Sequence, residues 1–294
     1  MSSLIGVTVQ SCFRSSSYNM FIVDKSEFLK CSYSADGGAM YISSPSVFLN
    51  VSKSIFSECS STGSGGAIFT SNVPYFSINT TCFFKCRQVL HGSCFENTGI
   101  SSTKWELLSS SQCPSIDAKS YHCEMLSRGG IEESYYINCS SGSNQMVSGI
   151  YHYLTTISRI NYYIVAYMNT GSLVGFGSVS SNHDYNNLVF MNNTCTNGIF
   201  HVYLNAVTVK NSYIMYTSGI LADSYQGTGS ITIKNSNFYP SLPSTNQFGI
   251  YGSGCVISES SISMQIYQCS KDSTLGYNPN KHAFLILFVV LFQI

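Results

Sequence analysis

At 294 residues the chain is long enough for two ordinary globular domains or for one extended solenoid. Only 10% of its residues are charged while 14% are aromatic, and an average soluble domain carries roughly 25% charge, so the polar surface must be built from Ser, Thr, Asn and Gln, as in secreted and surface proteins. Fourteen basic and fourteen acidic residues cancel, which leaves no global field to attract nucleic acid or an anionic membrane.

The N-terminal segment Met1 to Val9 enters a strand-like pattern directly, without the basic region, long apolar segment and cleavage site of a secretory leader. The expectation is a chain that begins part-way along a repeat array, as a fragment or from a mis-assigned start.

The array declares itself next. Phe28 to Tyr41 reads F-L-K-C-S-Y-S-A-D-G-G-A-M-Y, Phe56 to Phe69 reads F-S-E-C-S-S-T-G-S-G-G-A-I-F, and a weaker version spans Phe83 to Phe95. The steps are 28 and 27 residues. Self-similarity at that period marks a supersecondary unit stacked on copies of itself. The pattern Ser/Thr-x-apolar-x-x-small extends the series to anchors at Phe13, Phe28, Phe56, Phe83, Tyr136, Ile160, Phe190, Ile214, Phe238 and, loosely, Ile262. The 53-residue gap before Tyr136 equals about two steps, and a degenerate rung is expected around Trp105 to Ser111.

Before the anchors, Phe48 to Val51, Tyr75 to Ile78, Val207 to Val209 and Ile231 to Ile233 alternate apolar with polar residues, the period of a strand with one buried face. Gly, Ser and Asn turns separate the strands. Identical phrases at this period are satisfied when each repeat is one coil of a right-handed parallel β-helix, an all-β solenoid of about ten coils covering residues 1–269. Phe28, Phe56 and Phe83 then form an aromatic column. Three residues later stand Cys31, Cys59, Cys86 and Cys139, with Ser16, Asn193, Thr217 and Ser241 at the same place elsewhere. Two arrangements are open for that column: disulfides between coils, or buried reduced thiols. Reduced thiols are preferred because parallel in-register neighbours face the same way and fit the torsion of a disulfide poorly. The glycines of the stretch Gly63 to Gly66 are read as permitting positive φ and close contact between coils. Gly63 to Gly66 lack the Lys-Ser/Thr of a phosphate loop.

The pairing of Gly37-Gly38-Ala39-Met40 and Gly65-Gly66-Ala67-Ile68 with Phe28-Leu29-Lys30-Cys31, Phe56-Ser57-Glu58-Cys59 and Phe83-Phe84-Lys85-Cys86 resembles the repeats of the polymorphic outer-membrane protein family, whose words are GGA-[ILV] and F-x-x-N. Cysteine stands where that family has asparagine, and only Phe190-Met191-Asn192-Asn193 restores it. The strong matches cover residues 26–95. Degenerate repeats of this kind also occur in large families of protozoan surface proteins, which the chain resembles more closely. The resemblance implies a right-handed parallel β-helix displayed on a cell for adhesion or surface variation, with no catalytic residues.

Parallel β-helices also include polysaccharide lyases and glycoside hydrolases, which need paired carboxylates or a calcium cluster with a base. The candidates here are Glu132 with Glu133, Asp117 with Lys119, and Asn182-His183-Asp184-Tyr185. Adjacent glutamates on a strand face opposite ways, and His183 with Asp184 reads as a solvated Ser/Asn-rich loop. No catalytic, cofactor or metal site is assigned, because Cys82 and Cys86 lack the partners of a zinc site. The sequons at Asn50, Asn79, Asn138 and Asn192 are candidate N-glycosylation sites. Asn50 and Asn79 are preferred, since Asn192 lies near the proposed inward turn. Tyr151, Tyr153, Tyr162, Tyr163 and Tyr167 are read as strand residues covering a core, with a sugar- or protein-binding face as the alternative.

At the C-terminus, residues 270–282 form a polar spacer and residues 283–294 are apolar but for Gln293. Twelve helical residues rise only about 18 Å, short of a bilayer core. Small residues, spacer and apolar tail fit a GPI-attachment signal, with a short membrane helix or a last strand as alternatives. The whole reads as a membrane-anchored, exterior-facing, non-enzymatic solenoid for adhesion. Its ligand class is a host or matrix protein or a glycan, and nucleic acid is not expected.

Overall fold

The computed structural model describes residues 2–15, 19–88, 94–98, 102–111, 113, 123–125, 129–131, 133–137, 150–153, 163–167, 170–179, 183–186, 188–203, 206–215, 222–224, 230–239, 250–253 and 256–257. The described residues form an all-β solenoid without a helix, in which the strands of successive turns pair side by side in parallel. Residues 2–98 wind through about 4 turns. The same ladder continues through Ser102–Ser111, Glu133–Ile137, Tyr163–Tyr167, Leu188–Met191, Tyr213–Met215 and Asn237–Tyr239 to Val256–Ile257. The spacer and apolar tail, residues 270–282 and 283–294, lie outside the described residues.

One turn shows how the chain closes on itself. Met20–Asp24 runs along one side, Glu27–Leu29 follows a corner, Ser32–Tyr33 follows a second corner, and Met40–Ser43 returns after the glycines. The next turn repeats this as Phe48–Ser52, Ile55–Ser57, Ser60–Ser61 and Ile68–Ser71. The 28-residue and 27-residue steps appear as direct pairings, Phe28 with Phe56 and Phe56 with Phe83. Ser110 occupies the expected degenerate rung, between Phe83 and Tyr136. Three anchors differ from expectation. Phe13 pairs with Met40 on the glycine-alanine side, and the residue stacked beneath Phe28 is Val9. The first turn passes from Cys12 straight into Phe13–Ser15 and lacks the loop that residues 32–39 supply in the second, so aromatic character alone misplaces its anchor. Between Tyr136 and Phe190 the stacked residue is Ala166; Ile160 and Ile262 lie outside the described residues, and Ile257 pairs with Phe238.

Alternation along the strands puts one set of side chains inside. Phe21, Val23, Leu49, Val51, Phe76 and Ile78 are buried on the long strands, as are Val207, Val209, Ile231 and Ile233 further on. Phe28 and Phe56 stack with ring centroids 4.6 Å apart at 6°, and Phe56 meets Phe83 at 5.2 Å. Such pairs contribute about 0.5–1.5 kcal/mol beyond their burial.

The corners are made by residues in the left-handed region, at one fixed place along the turn. Three residues before the stacked anchor stand Gly6, Lys25, Lys53, Thr80, Asn211 and Asn235, all with φ between 48° and 62°. A non-glycine residue there costs roughly 1–2 kcal/mol, but the bend aims its N–H at the adjacent turn. Lys25 N–H donates to Ser52 O at 3.1 Å and Lys53 N–H to Asn79 O at 3.0 Å, so the ladder crosses the corner unbroken. Inside the bend sits a hydroxyl, Ser26, Ser54, Thr81, Ser212 or Ser236, which is buried and donates to the carbonyl two residues back. It also accepts from the preceding turn: Ser26 N–H reaches Ser54 Oγ at 3.2 Å, and Ser212 N–H reaches Ser236 Oγ at 3.1 Å.

Gly37 and Gly65 turn the chain at φ 72° and 65°. At Gly38 the constraint is space, since a Cβ would lie 2.2 Å from Gly66 O and 2.4 Å from Ser60 O, both backbone atoms of the next turn.

Two stability outcomes are expected. Ser54→Ala orphans the buried N–H of Ser26 and lowers unfolding free energy by about 1–3 kcal/mol in denaturant titrations, whereas Ser34→Ala, at an exposed loop position, changes it by less than about 0.5 kcal/mol. Gly38→Ala forces two turns apart and costs about 1–3 kcal/mol or more in the same measurement.

Candidate binding surface

Two sets of functional side chains follow from this winding, one inside and one outside. The inner set is the thiol column. Cys31, Cys59, Cys86 and Cys113 are buried and not disulfide-bonded. Each donates to a carbonyl of the preceding turn: Cys31 Sγ to Val9 O at 3.4 Å, Cys59 to Phe28 O at 3.4 Å, Cys86 to Phe56 O at 3.3 Å and Cys113 to Phe83 O at 3.7 Å. Of the two arrangements open from the sequence, the structure has reduced thiols at these positions. Cys113 joins the column although aromatic anchors do not point to it; it stands three residues after Ser110, whose lack of an aromatic ring hides the rung. The signal was present in the cysteine spacing, 31, 59, 86 and 113. Cys12 occupies the same place after Val9, where Ser16 was expected; Ser16, Cys139, Thr217 and Ser241 lie outside the described residues. Asn193 is buried at the corresponding position after Phe190.

Burial pushes the Cys59 and Cys86 thiols well above their ordinary value of 9.0. For Cys31 the hydrogen bond from Cys59 outweighs burial and the value falls. Cys59 and Cys86 therefore stay protonated and inert at neutral pH. Cys82, by contrast, is half-buried and disulfide-bonded.

The outer set lies on the glycine-alanine side. Arg14, Tyr41 and Phe69 are in direct register on Phe13–Ser15, Met40–Ser43 and Ile68–Ser71. Their side chains point outward because Phe13, Met40, Ile42 and Ile68 take the inward places. Tyr41 and Phe69 stack at 5.4 Å and 13°. The Arg14 guanidinium lies 4.1 Å from the Tyr41 ring centroid and 4.0 Å from that of Tyr33. The short first turn explains this arrangement. Among the described residues no strand of that turn pairs with Ser32–Tyr33, and Arg14 fills the vacated place. Its Nη1 donates to Asp36 O at 3.1 Å, while Asp36 Oδ1 accepts from Ser64 N–H at 2.8 Å. Ser60 Oγ donates to Ser32 Oγ beside them. A cation clamped between two aromatic faces, continued by a third ring and a hydroxyl pair, offers flat apolar area, a fixed positive charge and hydrogen-bonding groups on a rigid support.

The other candidates that the sequence suggests are dispersed. His183 and Asp184 lie on the strand His183–Asn186, paired with Val207 and Thr208, not in a loop; register with Ala206–Lys210 overrides their polar composition. Glu133 begins the strand Glu133–Ile137, while Glu132, Asp117 and Lys119 lie outside the described residues. Among the described residues no group of three or more His, Cys, Asp or Glu is placed to hold a metal ion. Tyr151, Tyr153, Tyr163 and Tyr167 are on strands, and Tyr162 lies outside the described residues. Of the sequons, Asn50 is exposed on Phe48–Ser52. Asn79 is half-buried and accepts from Thr80 Oγ1. Asn192 is exposed at φ 54°, directed outward by the corner while Asn193 turns in. Asn138 lies outside the described residues. Sequence reasoning missed Arg14, Tyr33, Tyr41 and Phe69 as a group, because 19 to 28 residues separate Arg14 from Tyr33 and Tyr41 from Phe69 and no single phrase contains them.

No protein-family model matches the chain, and no curated protein or solved structure matches it.

The thiols supply a pH outcome. Cys59 and Cys86 have folded values raised above the unfolded value, so the stability they contribute is complete below pH 9.0 and is lost as pH rises from there toward the folded values. Thermal unfolding followed by circular dichroism is expected to show a midpoint that falls above pH 9.0, and Cys59→Ala with Cys86→Ala to flatten that fall.

Proposed function

We propose that the chain is a non-enzymatic β-solenoid of the cell exterior that binds a glycan or a protein of a neighbouring surface through the face carrying Arg14, Tyr33, Tyr41 and Phe69. The observation that carries this reading is the clamped guanidinium continued by a stacked ring pair, on strands of three successive turns. Guanidinium edges pair with carboxylates and aromatic faces pack on sugar rings or apolar side chains, and both are preset here without loss of rotamer freedom on binding. We extend the same winding to about ten coils on the repeat period of the sequence, and take it as right-handed on the strong bias of parallel crossovers to one hand. An exterior location is supported by the Cys82 disulfide and the low charge content. Membrane attachment through residues 283–294 rests on their apolar composition. The repeat words shared with polymorphic outer-membrane proteins point the same way.

The test is binding of the folded chain to an array of acidic and neutral glycans and to intact host or matrix surfaces, beside Arg14→Ala and Tyr41→Ser. The expected outcome is retention that falls about tenfold or more in each variant, the scale of a hot-spot loss, with circular dichroism unchanged. Retention equal to the parent's in both variants would remove this face from the reading.

A further inference from the structure

The long-strand side carries an apolar outer row that the fold leaves uncovered. Met20, Phe48 and Tyr75 are in direct register on three successive turns, and Met20 and Phe48 are 42% and 49% exposed. The Phe48 and Tyr75 rings lie 6.1 Å apart. One outward position further along the same strand stands Asn50, exposed, with Ile22 and Ser77 beside it in register. Two residues of strand separate the Cα atoms of Phe48 and Asn50 by roughly 6.8 Å with both side chains on one face. Asn50 opens the acceptor triplet Asn50-Val51-Ser52. Among the described residues no hydrogen bond holds its side chain. The Asn79 triplet differs, since Asn79 is half-buried and engaged by Thr80 and Thr81 faces the core, whereas Ser52 Oγ donates to Asp24 Oδ1 at 2.7 Å and leaves the Asn50 amide untouched.

We propose that Asn50 carries an N-linked glycan whose first sugar lies over Phe48 and shields the Met20, Phe48 and Tyr75 row. The co-reactant is a lipid-diphosphate-linked oligosaccharide. The Asn50 amide nitrogen forms a bond to the anomeric carbon, the carbon–oxygen bond to the diphosphate breaks, the lipid diphosphate leaves, and one amide proton passes to solvent. The C–H face of the sugar then packs on the ring, which converts an exposed apolar stripe, otherwise an aggregation liability, into a hydrated surface. This inference rests on the exterior location proposed above and not on the Arg14 face, which lies on a different side of the solenoid.

The test uses the full chain secreted through the oxidising compartment of a cultured eukaryotic cell behind a cleavable leader. Enzymatic release of N-glycans in heavy-oxygen water converts an occupied Asn50 to labelled aspartate, read by peptide mass spectrometry; an unlabelled Asn50 in secreted protein overturns the proposal. Release of the glycan under native conditions is expected to lower the melting midpoint by about 2–4 °C, and to change it by less than about 1 °C in Phe48→Ser. Equal shifts in parent and Phe48→Ser overturn the packing on the ring. Asn50→Gln removes label and shift together while leaving glycan-array retention through Arg14 intact, so failure here and failure of the binding reading are read on separate instruments.

Discussion

The constraint from which the rest follows is that each turn must come back to the same backbone atoms, in parallel and in register, one strand spacing further along. A parallel ladder can be closed this way only if the corners bend without breaking the inter-turn hydrogen bonds. The left-handed residues at Gly6, Lys25, Lys53, Thr80, Asn211 and Asn235 achieve that, each aligned with its counterparts in the described turns. At Gly6, Lys25, Lys53 and Asn211 the N–H is donated to the neighbouring turn, and this bond together with the hydroxyl that fills the inside of the bend offsets the conformational cost. Side chains inherit the same order, so that aromatic rings meet rings and thiols line up with thiols.

Inside the solenoid this order leaves little freedom. The phenylalanine column, the cysteine column and the hydroxyl column each satisfy a local demand of apolar burial, compact packing or carbonyl pairing. Outside, stacking imposes proximity but not identity, and it is there that the chain departs from its own repeat. Arg14 is possible because the first turn omits a loop, which opens the Tyr33 ring to the guanidinium. The surface with the most chemical character thus arises where the repetition fails.

Much of the winding was legible in the sequence because Phe28, Phe56 and Phe83 are large, apolar and regularly spaced, and because Gly37 and Gly65 mark turns that few other residues can make. The corner residues were not legible. Lysine and threonine seldom adopt positive φ, and nothing in Lys53 or Thr80 taken singly announces it; only the equivalence with Asn211 and Asn235, residues that tolerate this region, reveals the position. The first anchor was missed for a similar reason, since Val9 is a modest residue beside Phe13. Of the binding surface only single residues were visible, because register that brings Arg14 against Tyr33 and Tyr41 is a property of winding and has no local signature.

The close backbone approach at Gly38, where a methyl group has no room, also bears on how such a chain can change length. Inserting or deleting a residue within a paired strand would slide that strand's columns off their neighbours, whereas a loop absorbs the change, as the short first turn shows, and removing or duplicating a complete repeat leaves every column aligned. Growth of this architecture is therefore quantised, and copy number is the dimension along which it can vary while its interior stays the same.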